Sequence, residues 1–260
     1  MANESGVVAL DDGGTVLAAG WTRGIDPTIE WIDQHAHDDL ALLFVDAPLV
    51  VTNPSGQRLC ERQVGQRYGR WKVSANSTNR ASPRQAGVAL LDALVSRGWS
   101  YQAGHEGPPV RGRVVSECYP YTTLVGVPAL GYESDGERPC YKRKPRRLPV
   151  ADWRPARAAA CDDLVRRLDK LRSADPPLHL ESHPVTGLLI TEGSPLNDRA
   201  YKHREDLIDA LLCAWTALLW ARHGHTRCQV LGPPAETPPP VATIIAPATA
   251  VQGRDGMVRG

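Results

Sequence analysis

The sequence predicts a single α/β domain, and three observations carry that reading. Leu40–Val45 is a run of six apolar residues, the pattern of a strand covered on both faces in the middle of an α/β sheet. Residues 113–117, Arg-Val-Val-Ser-Glu, read as a second short strand that ends on an acid. Between and after these lie segments with helical spacing, so strands and helices alternate along the chain.

Taken in order, residues 5–10 and 15–21 are short apolar runs separated by Asp11-Asp-Gly-Gly14, turn chemistry that predicts an antiparallel hairpin. Asp26-Pro27 reads as an N-cap followed by proline in the first turn, and Ile29, Ile32 and Ala36 continue a helical stripe to about residue 37. The Leu40–Val45 strand follows and ends on Asp46-Ala-Pro48. Residues 52–83 are polar, mixing Arg58, Arg62, Arg67, Arg70 and Lys72 with Tyr68 and Trp71. They read either as a functional loop suited to phosphate and base contacts or as a solvated connection with a short helix near 60–68. Val88, Leu91, Leu94 and Val95 predict an amphipathic helix over 85–97, stopped by Gly98.

The strand at 113–117 ends on Glu117 and is followed by Cys118-Tyr-Pro120, repeating the pattern at Asp46. Residues 141–147 then carry five cations, Lys142, Arg143, Lys144, Arg146 and Arg147, the densest basic patch of the chain. Ala160, Leu164, Leu168 and Leu171 predict a helix over 158–171, and a long, mostly buried helix is expected over 203–222. Residues 228–231 and 242–247 read as two short strands around a proline-rich stretch, a terminal hairpin or flap.

Composition bounds the rest. The chain has 260 residues, 42% of them hydrophobic, and a formal charge of +1, so no global field announces a nucleic acid or a membrane. The N-terminus lacks the pattern of a secretory signal, and no apolar run approaches the ~20 residues of a membrane helix. Six cysteines are scattered without a Cys-x-x-Cys pair, which argues against a zinc ribbon and for a reduced, cytoplasmic protein.

Asp46 and Glu117 at two strand ends, with Asp206 and Asp209 on the late helix, are the candidate catalytic and metal-binding residues. Carboxylates at the carboxyl ends of neighbouring strands are expected a few Å apart, a costly arrangement unless a cation or a shared proton compensates. Acids in a first helical turn can simply answer the helix dipole, which accounts for Glu205 but poorly for Asp209, set between Ile208 and Ala210. A donor set of carboxylates alone suits Mg²⁺ or Mn²⁺ rather than zinc, and two such ions support phosphodiester hydrolysis.

Phe44-Val-Asp-Ala-Pro-Leu49, Ser116-Glu-Cys-Tyr-Pro120, Tyr141-Lys-Arg-Lys144 and Glu205-Asp-Leu-Ile-Asp-Ala-Leu-Leu-Cys-Ala-Trp215, in this order and spacing, resemble the domain-of-unknown-function family 429. The resemblance runs from about residue 5 to 247, and members of that family are described as predicted nucleases of the ribonuclease H-like fold. It implies a mixed sheet of three antiparallel strands followed by two parallel ones, with helices on both faces. It also implies that Asp46, Glu117 and Asp206 or Asp209 occupy the family's acidic positions. Family members begin with a strand carrying a metal-binding aspartate directly before an Asn-x-Ser-Gly-like turn. Asn3-Glu-Ser-Gly6 resembles that turn, so the expected fold is ribonuclease H-like and lacks the first strand and its aspartate.

The expected organisation is one domain over 1–247, with 228–247 a terminal hairpin or flap and 248–260 a disordered tail. The expected function is a Mg²⁺- or Mn²⁺-dependent nuclease, inactive in this form if the first aspartate is indispensable. Lys142, Arg143, Lys144, Arg146 and Arg147 are its expected contacts to RNA or DNA. The alternative is a non-catalytic nucleic-acid- or partner-binding module on the same fold.

Overall fold

The chain opens on the expected hairpin, β1 (Glu4–Leu10) and β2 (Val16–Arg23), paired in antiparallel register from Glu4 against Arg23 onward. The computed structural model describes residues 4–36, 39–83, 85–142, 148–249 and 252. At the hairpin turn, the Asp11 carboxylate accepts the Thr15 N–H at 2.7 Å. Helix α1 (Ile25–His35) follows, but its N-cap is Gly24, not Asp26, which lies inside the first turn. Gly24 makes the sharp entry at φ 90°, where a side chain would be strained, and its carbonyl accepts from the Thr28 hydroxyl at 2.7 Å.

Strand β3 (Leu40–Val45) has the predicted bounds but a different place in the sheet. Three parallel strands are ordered β3, β5 (Gly112–Glu117), β4 (Ser100–Tyr101), so β5 is central and β3 lies at one side. Only Phe44 of β3 is buried, because the strand has a ladder partner on one edge alone. Between β3 and β5 come α2 (Leu59–Tyr68) and α3 (Ala86–Ser96). The polar 52–83 segment thus contains a helix, and its Tyr68 and Trp71 are buried core residues rather than exposed base-stacking groups.

After β5 the chain forms α4 (Pro120–Gly126), α5 (Tyr132–Asp135) and α6 (Val150–Asp169), which begins well before the apolar spacing predicts. Then come α7 (Pro184–Thr191), α8 (Asp198–His223) and the antiparallel pair β6 (Cys228–Leu231) and β7 (Ile244–Pro247). Trp215 and Trp220 of α8, together with Tyr201, Tyr141, Tyr68 and Trp71, are the largest buried side chains, so the core gathers around α8.

The architecture is mixed α/β with a central three-stranded parallel sheet. Among the described residues β1 pairs only with β2 and β3 only with β5, so the hairpin and the Asp46 strand share no neighbouring strand. Helix α8 joins the two, packing on both β1 and β3. The expected tail at 248–260 is ordered at its start, since Ala248 N–H donates to the Arg227 carbonyl at 2.9 Å and the Gln252 amide donates to the Arg67 carbonyl at 2.9 Å. Among the described residues no helix is long and apolar enough to cross a membrane.

Candidate functional site

The register of the parallel sheet decides which acids meet. Val45 is paired with Glu117, so Asp46 lies one residue beyond that pair. Side chains alternate across a strand, and Asp46 and Glu117 therefore leave the sheet on opposite faces. The expectation that two strand-end acids sit together is corrected by this offset. Asp46 faces α8, whereas Glu117 faces α2.

On the α8 side, Lys142 Nζ lies 2.7 Å from Asp209 Oδ2 and 3.5 Å from Asp46 Oδ2. The Tyr141 hydroxyl donates to Asp209 Oδ1 at 2.7 Å. Carboxylate oxygens of Glu205, Asp206 and Asp209 all lie within 4.8 Å of one another. Lys202 reaches two of these acids, at 2.8 Å from Glu205 and 2.6 Å from Asp206. Four carboxylates thus form one acidic cluster with two ammonium groups.

These acids are short of positive charge. Desolvation pushes the Asp46 carboxyl up to about 6; Lys142 opposes that rise and Asp209 adds to it. Glu205 and Asp206 are likewise raised by desolvation against the pull of Lys202. Desolvation alone would lower Lys142, but Asp209 and then Asp46 outweigh it and keep the ammonium charged.

The helix dipole does not account for the acids of α8. The helix starts at Asp198 behind an Asn197 cap, whose side chain accepts from Arg199 N and Ala200 N. Glu205 and Asp209 consequently lie beyond the first turn, where the dipole's effect has faded. Glu205 joins the cluster, a role the sequence reading assigned to the dipole. Lys202 was legible as the i−3 and i−4 partner of Glu205 and Asp206.

Glu117 sits in a different setting. Its carboxylate is buried and takes a two-pronged pair from Arg58, Nη2 to Oε1 at 2.6 Å and Nη1 to Oε2 at 2.8 Å. Of the basic patch, Lys142 lies in the acidic cluster, while Arg143, Lys144, Arg146 and Arg147 lie outside the described residues.

A family model described as a protein of unknown function, DUF429, matches residues 2–236. The chain belongs to DUF429. No curated protein and no solved structure gives a significant match. In this DUF429 chain the matched span takes in Asp46, Lys142, Glu205, Asp206 and Asp209, so the whole acidic cluster lies inside the family region.

Proposed function

We propose that this DUF429 protein is a metal-dependent phosphodiesterase of the nuclease type, with a ribonuclease H-like arrangement, acting on RNA or DNA in the cytoplasm. The observation that carries the reading is the convergence of Asp46 from the end of β3 with Glu205, Asp206 and Asp209 of α8, four acids against two lysines. A donor set made only of carboxylates fits Mg²⁺ or Mn²⁺. Asp206, Asp209 and Asp46 would hold such ions, with Glu205 beside them.

When bound, Mg²⁺ or Mn²⁺ supplies Lewis-acid charge to a phosphate and lowers the pKa of a water. The chain's own residues do the remainder. Asp46 serves as a ligand from the end of β3, beside Asp209 of α8. Lys142 offers an ammonium beside it for a non-bridging phosphate oxygen, and Tyr141 fixes the Asp209 carboxylate. Glu117, engaged by Arg58, is left out of the ligand set. A cytoplasmic setting is supported by six free cysteines, five of them buried.

The test is cleavage of single-stranded RNA and DNA in Mn²⁺, with wild type against Asp46→Asn and Asp209→Asn. Activity in the wild type that disappears in both variants is expected. A wild type inert with every nucleic acid and both ions abandons the reading. A second reading, a binding module without catalysis, is favoured by one observation: Lys142 and Lys202 already serve as cations among the acids. Chelator-insensitive binding that weakens steeply with salt would select it.

A further inference from the structure

Asp46 is followed by a turn that is gripped from two sides. On one side a Cβ on Gly87 would lie 2.3 Å from the Pro48 carbonyl oxygen, so α3 begins in direct backbone contact with the turn. On the other, Leu49 N–H donates to Glu117 Oε2 at 3.0 Å, and Arg58 Nη1 donates to the Val50 carbonyl at 3.2 Å. Arg58 in turn donates from Nε to Glu61 Oε1 at 2.9 Å, while Glu61 Oε2 accepts from Arg58 N and Thr78 N. Arg58, Glu61 and Glu117 are all nearly sealed from solvent.

We propose that Glu117 and Arg58 are positioning residues for the Asp46–Val50 turn, which they fix so that Asp46 is presented to the acids of α8. This rests on the metal-dependent reading above for its catalytic consequence, though not for its geometry. A buried fork of this kind is held by mutual dependence. Removing Arg58 strands the charges of both Glu117 and Glu61, whereas replacing all three by neutral groups that can bond to one another relieves the cost. A metal ligand behaves differently, because no second substitution restores its charge to the ion.

The experiment uses the full chain as wild type, Glu117→Gln, Arg58→Gln, the combined variant Arg58→Gln/Glu61→Gln/Glu117→Gln, and Arg58→Lys, which keeps the charge, loses the fork and is the member safest for folding. The first readout is amide hydrogen exchange at Leu49. The second is hydrolysis of bis(p-nitrophenyl) phosphate across a Mn²⁺ series. Faster Leu49 exchange in the single variants, restored in the combined variant, is expected. Turnover at saturating Mn²⁺ falls about tenfold or more in the singles and recovers in the combined variant, with half-saturating Mn²⁺ within about twofold throughout.

Two results overturn the proposal. One is Leu49 exchange unchanged in the folded single variants, Arg58→Lys included. The other is half-saturating Mn²⁺ raised about tenfold or more by Glu117→Gln and not recovered in the combined variant, the behaviour of a ligand. If the wild type shows no Mn²⁺-dependent hydrolysis, the nuclease reading fails, and the exchange measurement alone decides the positioning role.

Discussion

Lys142 Nζ stands 2.7 Å from Asp209 Oδ2 and reaches Asp46 Oδ2 at 3.5 Å, so one ammonium group bridges the end of β3 to the middle of α8. A divalent cation held by the same two carboxylates must compete with it. Lys142→Met leaves Asp46 and Asp209 facing each other with no bridging charge. The expected cost without metal is roughly 1–3 kcal/mol, below the value for a fully buried pair because the Asp46 side chain keeps some solvent contact. Added Mn²⁺ should then raise the melting temperature of Lys142→Met more than that of the wild type, since the lysine no longer competes. Equal gains in thermal melts with and without Mn²⁺ would show that lysine and metal do not share the site.

Asp46 makes stability depend on pH in an unusual direction for a carboxylate. Its folded value, raised to about 6 from 3.8, means the folded state keeps a proton that the unfolded chain has released. Stability from this group is present below its unfolded value and is lost as pH rises from about 4 through about 6. The shift is discounted for the partial exposure of the side chain, leaving on the order of 1–2 kcal/mol. Relative to wild type, metal-free Asp46→Asn should therefore gain stability between pH 4.5 and pH 7.5, as read from urea midpoints of both proteins. Glu117, raised by desolvation to about 7, adds a loss of the same sign that persists in the variant. A stability difference between variant and wild type that does not grow from pH 4.5 to pH 7.5 would remove Asp46 as the cause.

Much of the fold is legible because the relevant signals are local. The six-residue run of β3, the Asp-Asp-Gly-Gly turn and the apolar face of α3 each dictate their own element with little help from elsewhere. What escapes is relational. Neither Val45 nor Glu117 reveals that the two are partners, and a register one residue different would have put Asp46 and Glu117 on one face. The extent of α8 is missed for a similar reason. Its first turn, Asp198 to Tyr201, is polar outside and gains its burial through Tyr201, whose hydroxyl donates to the Tyr141 carbonyl at 2.6 Å. The role of Arg58 rests on a carboxylate 59 positions away and has no local signal.

The position of the α8 cap gives a prediction that separates two explanations of its acids. Asn197 accepts from Arg199 N and Ala200 N at 3.0 and 3.1 Å, satisfying donors that helix geometry leaves free. Asn197→Ala should cost about 1 kcal/mol in urea unfolding. Fraying is confined to the first turn, so Mn²⁺ affinity measured by calorimetry should stay within about twofold of wild type. A large loss of affinity would mean that the acids depend on the helix terminus after all.

The hairpin brings its backbone close to the acidic cluster at Gly6. A Cβ on Gly6 would lie 2.2 Å from the Asp206 carbonyl oxygen and 2.5 Å from its carbon, both main-chain atoms that cannot swing aside. Around that contact, Trp21 Nε1 donates to the His203 carbonyl at 2.9 Å and Glu4 pairs with the His203 ring at 2.6 Å. Gly6→Ala therefore has to push β1 away from α8 at the residue that carries one of the four acids. Overpacking of this kind costs roughly 1–3 kcal/mol, and the displacement of Asp206 should weaken Mn²⁺ binding together with stability. Gly20, in the partner strand β2, provides the control because a Cβ there meets nothing within 4 Å. Gly20→Ala should leave both the urea midpoint and the Mn²⁺ titration close to wild type. If Gly6→Ala behaves like Gly20→Ala, the hairpin does not set the position of Asp206, and the packing of α8 on β3 alone must hold the cluster together.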